Sequence, residues 1–338
     1  MKKSPCHIWP LINKIGAFLW VAVLLLPLLS FGQSSIKIEG LNVQLRSIAI
    51  DHADTVNFMY VNATQKTDQT LLFIQGSGPR PLFVKDKGEY IFTLPFDIKH
   101  IVDDFHMNLL VVAPPGVNNV EDMNVLNDQA LKYDENQIPV VGYRKGANLK
   151  SYIRSYHAAL DYFSDKTPDA RFFVFGHSQG SRIAAALATD QKQIQKVVLA
   201  STNPISRGYE TISKVRIEQL LGQVSFEEAQ ASINQELRRI EYLESSAEKT
   251  LEDDSELSFT YPSLLQYMLK LQQPILFVYG TNDYGISLDA DKIPISFIKE
   301  GKTNLAVKAY EGRDHNFFKG KDYGWNQVME DCMNWFLY

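Results

Sequence analysis

Short, continuous apolar runs recur along most of the chain and alternate with segments of helical periodicity. The runs lie at residues 71–74, 109–112, 172–175, 197–199 and 275–278. Runs of this length fit strands that are covered on both faces, as in a parallel sheet. Helix-like spacing lies between several of them, for example at residues 152–163 and 181–188. The alternation predicts an α/β fold with a mostly parallel, doubly wound sheet and helices on both faces.

Two stretches depart from this pattern. Residues 36–61 alternate apolar and polar side chains, which predicts an antiparallel β-hairpin region. Residues 206–270 break the βα alternation and contain amphipathic helical patterns at 217–221 and 226–243. We therefore expect one domain over 33–338, with a helical cap inserted at about 206–270.

The N-terminus has the pattern of an export signal. Three lysines precede an apolar run at residues 15–29, which contains Pro27 near its end. Ser30 and Gly32 then place small residues at the −3 and −1 positions of a cleavage site. The pattern predicts a signal peptide over residues 1–32 and a periplasmic or secreted protein. An uncleaved membrane anchor is the alternative, although the run is short for a span of about 20 residues.

Composition narrows the functional classes. Apolar residues make up 45% and charged residues 22%, as in ordinary globular domains. A net charge of −5 without a long basic run disfavours a nucleic-acid partner, because phosphate binding needs clustered cations. After signal removal, Cys332 is the one remaining cysteine, so the domain has no internal disulfide and must depend on its core.

The strongest chemical signal is Gly-His-Ser-Gln-Gly at residues 176–180, between an apolar strand and a helix-like segment. A nucleophilic serine needs a sharp turn at this position, so that its hydroxyl projects above the sheet. Gly176 and Gly180 lack Cβ atoms, so the strand and the helix can approach closely. The helix N-terminus also directs free N–H groups toward charge that forms near the serine. The motif predicts Ser178 as a nucleophile; an ordinary βα turn is the alternative.

This segment resembles the nucleophile elbow of the α/β-hydrolases, and its sequence is similar to the elbows of carboxylesterases and lysophospholipase-like members. The resemblance covers roughly residues 70–200 and 272–338. It implies the chain order Ser, then Asp or Glu, then His. Asp283, which follows the 275–278 strand, would be the acid that orients the histidine. Asp289 and Asp291 lie nearby as rivals.

The same resemblance assigns the base and the oxyanion hole. His315 follows a strand at residues 305–310 and is the only histidine after Ser178, so it would be the general base. Gln75-Gly76-Ser77 resembles the family's His-Gly-x loop, with Gln in place of His. By that match, the N–H groups of Ser77 and Gln179 would stabilise the developing oxyanion.

Other signals fail. Gly301-Lys302-Thr303 lacks the upstream glycine of a phosphate loop, and Gly76-x-Gly78 lacks the third glycine of a dinucleotide fingerprint. His-Glu-x-x-His and Cys-x-x-Cys motifs do not occur in the sequence. We therefore expect no cofactor and no metal.

The sequence thus predicts a serine hydrolase that cleaves a small-molecule ester or acyl substrate through an acyl-enzyme on Ser178. A carboxylic ester is favoured because the elbow resembles those of esterases. An exported peptidase or amidase and a thioesterase remain alternatives, since the same residues can cleave these bonds. A catalytically inactive hydrolase-fold binding protein is disfavoured because Ser178, Asp283 and His315 occur in the expected order.

Overall fold

The computed structural model describes residues 32–50, 54–127, 132–133, 138–250 and 255–338. Residues 1–31 of the predicted signal peptide lie outside these ranges, and Gly32 lies within them. The strands, in chain order, are β1 (Gly32–Ile38), β2 (Leu41–Ala49), β3 (Thr55–Val61), β4 (Gln69–Ile74), β5 (Phe83–Asp86), β6 (Glu89–Phe92), β7 (Asn108–Val112), β8 (Val120–Asp122), β9 (Leu126–Asn127), β10 (Lys132–Tyr133), β11 (Arg171–His177), β12 (Ile194–Ala200), β13 (Ile275–Gly280), β14 (Leu305–Tyr310), β15 (Phe318–Lys319) and β16 (Asp322–Tyr323). The helices are α1 (Ile138–Gly146), α2 (Leu149–Ser164), α3 (Gln179–Asp190), α4 (Arg207–Leu220), α5 (Phe226–Thr250), α6 (Ser255–Thr260), α7 (Leu264–Lys270), α8 (Ser287–Ala290), α9 (Lys292–Lys299) and α10 (Trp325–Leu337).

A nine-stranded sheet forms the centre of the molecule, with the order β1-β2-β3-β7-β4-β11-β12-β13-β14. The strands from β7 to β14 run parallel to one another. β1, β2 and β3 are antiparallel and extend one edge of the sheet. The predicted mostly parallel sheet is therefore confirmed, and the alternating stretch at residues 36–61 forms its antiparallel edge.

Both faces of the sheet are covered, which explains the continuous apolar runs. Along β4, Leu72 and Ile74 join one buried cluster, and Leu71 and Phe73 join the other. Helices α2, α3, α7 and α9 supply the first cluster. Helix α10, together with the π-helical turn His100–Asp104, supplies the second. Successive side chains of a strand point to opposite faces, so a strand that is covered on both faces, such as β4, needs apolar residues at successive positions.

The segment between β12 and β13 is helical, as the sequence pattern predicts. Helices α4 and α5 pack against each other. Helix α7 instead packs on α3, and its Leu264 and Met268 are fully buried in the first cluster. The last part of the expected 206–270 cap therefore belongs to the main core. In the described part of the chain, no helix combines the length and apolarity needed to cross a bilayer.

Gly180 sets how closely the start of α3 approaches the end of β4. A Cβ atom at this residue would lie 2.2 Å from the carbonyl oxygen of Ile74 and 2.7 Å from that of Gln75. Both contacts are with backbone, so a larger residue must displace the helix from the sheet. We predict that Gly180→Ala lowers the free energy of unfolding by about 1–3 kcal/mol in a denaturant titration.

Gly142→Ala is a matched control for this experiment. A Cβ atom at Gly142 would lie 3.5 Å from its nearest neighbour, an ordinary contact, and alanine favours the helix in which it lies. The control is expected to keep wild-type stability or to exceed it. Equal stability of Gly180→Ala and the wild type would contradict the close approach.

Candidate active site

Ser178 occupies a strained turn between β11 and α3. Its φ of 54° and ψ of −122° lie in a region that L-residues rarely adopt, at a cost of about 1–3 kcal/mol. Two backbone bonds fix the turn: Ser178 N–H donates to Ala200 O at 2.8 Å, and Ser181 N–H donates to Ser178 O at 3.0 Å. The buried Ser181 hydroxyl contacts the carbonyls of Gly176 and Ala200. β12 therefore holds the serine in position.

The structure brings the three predicted residues Ser178, His315 and Asp283 together. His315 Nε2 lies 3.0 Å from Ser178 Oγ, and His315 Nδ1 lies 2.8 Å from Asp283 Oδ2. With the ring proton on Nδ1, the imidazole donates to the carboxylate and accepts the serine hydroxyl proton. Asp283 is only 7% exposed, so its carboxylate is largely shielded from water.

The loops that carry Asp283 and His315 are bonded to each other through a backbone hydrogen bond and through the Thr281 hydroxyl. Asn282 N–H donates to Arg313 O at 2.9 Å, and Gly312 N–H donates to Thr281 Oγ1 at 2.8 Å. A Cβ atom at Gly280 would lie 2.1 Å from Arg313 O, so only glycine allows this approach. The Asp283–His315 distance is therefore set by the backbone as well as by the side chains.

The two rival aspartates have other positions. Asp289 Oδ2 accepts from Asn203 Nδ2 at 2.7 Å and from Ser213 Oγ at 3.0 Å, which ties α8 to the loop after β12 and to α4. Asp291 lies at the N-terminus of α9. Among the described contacts, neither aspartate bonds to His315.

His177 is buried directly beside the serine and supports the histidine loop. Its Nε2–H donates to the carbonyl of His315 at 3.0 Å, and its ring packs edge-on against Trp325 at a centroid distance of 4.9 Å. Burial, reinforced by the nearby positive charge of His315, lowers the pKa of His177 to about 3. The ring is therefore neutral near pH 7 and keeps the one proton that this bond requires.

The loop predicted as part of an oxyanion hole lies close against Ser178. A Cβ atom at Gly76 would be 3.3 Å from Ser178 Cβ. Gly78 N–H donates to the Tyr143 hydroxyl at 2.9 Å, so this N–H group is occupied. The N–H groups of Ser77 and Gln179 have no hydrogen-bond acceptor within the described residues, and Gln179 begins α3, where such groups are normally free.

A cavity of about 540 Å³ opens above the serine. Its lining comes from the Ser77 loop, the turn at Ser178, the end of α1, the loop after β12, the His315 loop and the helical insertion. The lining residues are Ser77, Tyr143, Arg144, Ala147, Ser178, Gln179, Arg182, Thr202, Arg207, Glu210, Phe259, Thr260 and His315. Helices α4 and α6 therefore shape the space in which a substrate of Ser178 would lie.

The charges around His315 change its proton affinity. Burial lowers the pKa of the imidazole, but the hydrogen bond and charge of Asp283, with the charges of Glu210 and Asp314, outweigh burial and raise it above 6.5. Burial also raises the pKa of the Glu210 carboxyl. The positive charge of His315, followed by those of Arg207 and Arg182, opposes that rise, whereas the charge of Asp283 adds to it. Within the described ranges, no three side chains of metal-binding type come together as a metal site.

Arg182 and Glu210 are among the cavity residues that the sequence-based predictions omit. Arg182 lies two residues after the elbow motif, in the first turn of α3, so its closeness to Ser178 along the chain is the one signal that could have indicated it. Glu210 lies on α4 in the insertion, and no motif marks it. Its position depends on how the insertion packs, which the local pattern does not encode.

Comparisons with known proteins agree with this architecture. A sequence profile described as alpha/beta hydrolase fold matches residues 142–220. No curated protein is significantly similar in sequence.

Three similar solved structures are an esterase, an iminopeptidase and an acylaminoacyl peptidase. The cold-adapted esterase from an Arctic intertidal metagenomic library is 12% identical with a TM-score of 0.52, over 90% of this chain and 98% of that one. The proline iminopeptidase of Mycobacterium smegmatis is 10% identical with a TM-score of 0.52, over 86% of this chain and 98% of that one. The acylaminoacyl peptidase of Pyrococcus horikoshii is 13% identical with a TM-score of 0.51, over 94% of this chain but only 43% of that one. The chain therefore has the α/β-hydrolase fold, and these identities carry no information about its substrate.

The effect of Glu210 on His315 gives a testable expectation. A nearby carboxylate favours the imidazolium, so its removal must lower the pKa of the imidazole. We predict that the His315 ring titrates with a midpoint above 6.5 in the wild type and at a lower pH in Glu210→Gln, as measured by NMR of the imidazole protons.

Glu218→Gln provides the control, because Glu218 lies on the same helix α4 but outside the cavity lining. Its His315 midpoint should equal that of the wild type. An unchanged midpoint in Glu210→Gln would show that Glu210 and His315 do not interact.

Proposed function

We propose that the protein is a serine hydrolase that cleaves a carboxylic ester through an acyl-enzyme on Ser178. One observation carries the proposal: an unbroken hydrogen-bond chain joins Ser178, His315 and Asp283 at the edge of a cavity. A serine hydroxyl is a weak nucleophile until an adjacent base accepts its proton, and this base must in turn be oriented by a third group.

In the first half of the reaction, Ser178 Oγ attacks the ester carbonyl while His315 Nε2 takes the hydroxyl proton. The Asp283 carboxylate accepts a hydrogen bond from the Nδ1–H group of His315 and stabilises the imidazolium that forms. The N–H groups of Ser77 and Gln179 donate to the oxyanion, and each such donor is worth about 3 kcal/mol in the transition state. The intermediate then collapses, and His315 gives its proton to the departing alcohol.

In the second half, water replaces the alcohol. His315, neutral again, takes a proton from water as its oxygen attacks the acyl-enzyme. The same two N–H groups stabilise the second oxyanion. Collapse of this second tetrahedral intermediate releases the carboxylic acid, and protonated His315 returns its proton to Ser178 Oγ. The cycle needs no group beyond these residues and water.

An ester is the favoured substrate because the Gly-His-Ser-Gln-Gly elbow resembles those of esterases. Exported peptidases of this fold more often carry a tyrosine after the serine, where this chain has Gln179. An amide or a thioester would follow the same steps with a different leaving group. A pure binding protein would have no need for the Ser178–His315–Asp283 chain, and this argues against that role.

The N-terminal pattern supports a proposal about location. Residues 1–32 carry lysines, an apolar run and a small-residue cleavage site, as a signal peptide does. We place the mature enzyme in the periplasm or outside the cell, where it would meet esters from the environment.

Turnover of 4-nitrophenyl acetate and butyrate tests the proposed reaction. We predict that the wild-type protein hydrolyses at least one of these esters, and that Ser178→Ala loses at least about a thousandfold in kcat, because both halves of the reaction pass through Ser178 Oγ.

Ser296→Ala is the control, since Ser296 lies on α9 and does not line the cavity. It should retain wild-type turnover. Hydrolysis that persists in Ser178→Ala would contradict the assignment of the nucleophile.

A further inference from the structure

The cavity above Ser178 contains a buried cation without a matching anion. Arg182 is only 6% exposed and lines this cavity. Its Nη1 is buried and has no hydrogen-bond partner within the described residues. Among the described residues, its Nη2 contacts two carbonyls, Asn203 O at 3.4 Å and Ile205 O at 3.5 Å, and both distances are long for hydrogen bonds.

Burying a guanidinium group without a paired anion costs free energy of folding. Charged groups that leave water must be paired or fully hydrogen-bonded, because the protein interior solvates them poorly. Burial lowers the pKa of Arg182 to about 10, so the group is still charged at neutral pH. The energetic cost of this side chain would fall if an anion entered the cavity.

The neighbouring charges do not supply that anion by direct contact. Glu210 lines the same cavity, yet in the described residues its carboxylate forms no ion pair with Arg182 or with Arg207. Arg144 and Arg207 also line the cavity and add positive charge. Three arginines and one glutamate leave an excess of positive charge beside the serine.

We propose that the substrate of Ser178 carries a carboxylate, and that Arg182, assisted by Arg207, binds it. The inference rests on the proposed function, since it concerns the substrate of that reaction. The excess of positive charge favours an anionic group, and the planar guanidinium can donate two parallel bonds to a carboxylate. The substrate would be an ester that bears a carboxylate, such as the monoester of a dicarboxylic acid.

The position of Arg182 limits the length of this substrate. Ser178 is the N-cap of α3, Arg182 lies in the first turn of that helix, and both line the same cavity. A carboxylate bound by Arg182 would therefore lie a few bonds from the reacting carbonyl. Glutarate and adipate monoesters have this separation.

The test compares two esters that differ only in charge. We would measure kcat/KM for mono-4-nitrophenyl glutarate and for its methyl-capped, neutral counterpart, with spontaneous hydrolysis subtracted. The wild type should favour the anionic ester by about tenfold or more, because a charge-assisted hydrogen bond contributes at least this factor. Arg182→Met should reduce this preference at least tenfold, and Arg207→Met should reduce it by a smaller factor.

Arg171→Met is the matched control, because Arg171 pairs with Asp68 at the start of β11 and lies outside the cavity lining. Its preference should equal that of the wild type. If Arg182→Met fails to fold, Arg182→Lys and Arg207→Met carry the test, since the first keeps the charge and the second alters an exposed side chain.

Each outcome has a defined meaning. Equal kcat/KM values for the two esters in the wild type, or a preference that survives Arg182→Met, would overturn the carboxylate site while leaving the serine hydrolase intact. A failure of both esters to react, together with no fluorophosphonate incorporation, would instead overturn the proposed function and this inference with it.

Discussion

The backbone at Ser178 is the constraint on which the site depends. An L-residue at φ 54° and ψ −122° is unfavourable, so the surrounding structure must hold it there. The central strand β12 does so through Ala200, whose carbonyl accepts both the Ser178 N–H and the Ser181 hydroxyl. Gly180 permits the close packing of α3 on β4 that keeps the turn sharp. The same strain that exposes the serine hydroxyl therefore requires small residues and buried hydrogen bonds around it.

The electrostatics of the site follow from burial of several charges in one cavity. Asp283 is shielded from water, so its interaction with His315 is stronger than that of an exposed pair. Glu210 adds to the negative charge near the imidazole, and Arg144, Arg182 and Arg207 line the same cavity. The cavity lining thus has an excess of positive charge, although the protein as a whole is acidic.

The sequence predicts the central sheet well because the parallel strands β4, β7, β11, β12 and β13 are largely buried on both faces and therefore mostly apolar. The edge strand β14 is partly exposed, and its prediction depends on the family resemblance, which requires a strand before the histidine. Helical spacing at residues 181–188 predicts α3. The elbow is predictable from sequence because the sharp turn at Ser178 requires glycine two residues before it and two residues after it, at Gly176 and Gly180. The local pattern does not predict how the insertion packs. The contact of α7 with α3 and the position of Glu210 in the cavity lining depend on tertiary contacts. Amphipathic spacing shows that such helices have an apolar face but not which surface that face meets.

Identification of the residue that a fluorophosphonate modifies would test the central claim most directly. Only a serine whose proton is accepted by a neighbouring base reacts readily with this probe. The account predicts a single adduct, located by peptide mass mapping on Ser178, with labelling that slows strongly in His315→Gln. An adduct on another serine, or labelling of Ser178 at an equal rate without His315, would contradict the account.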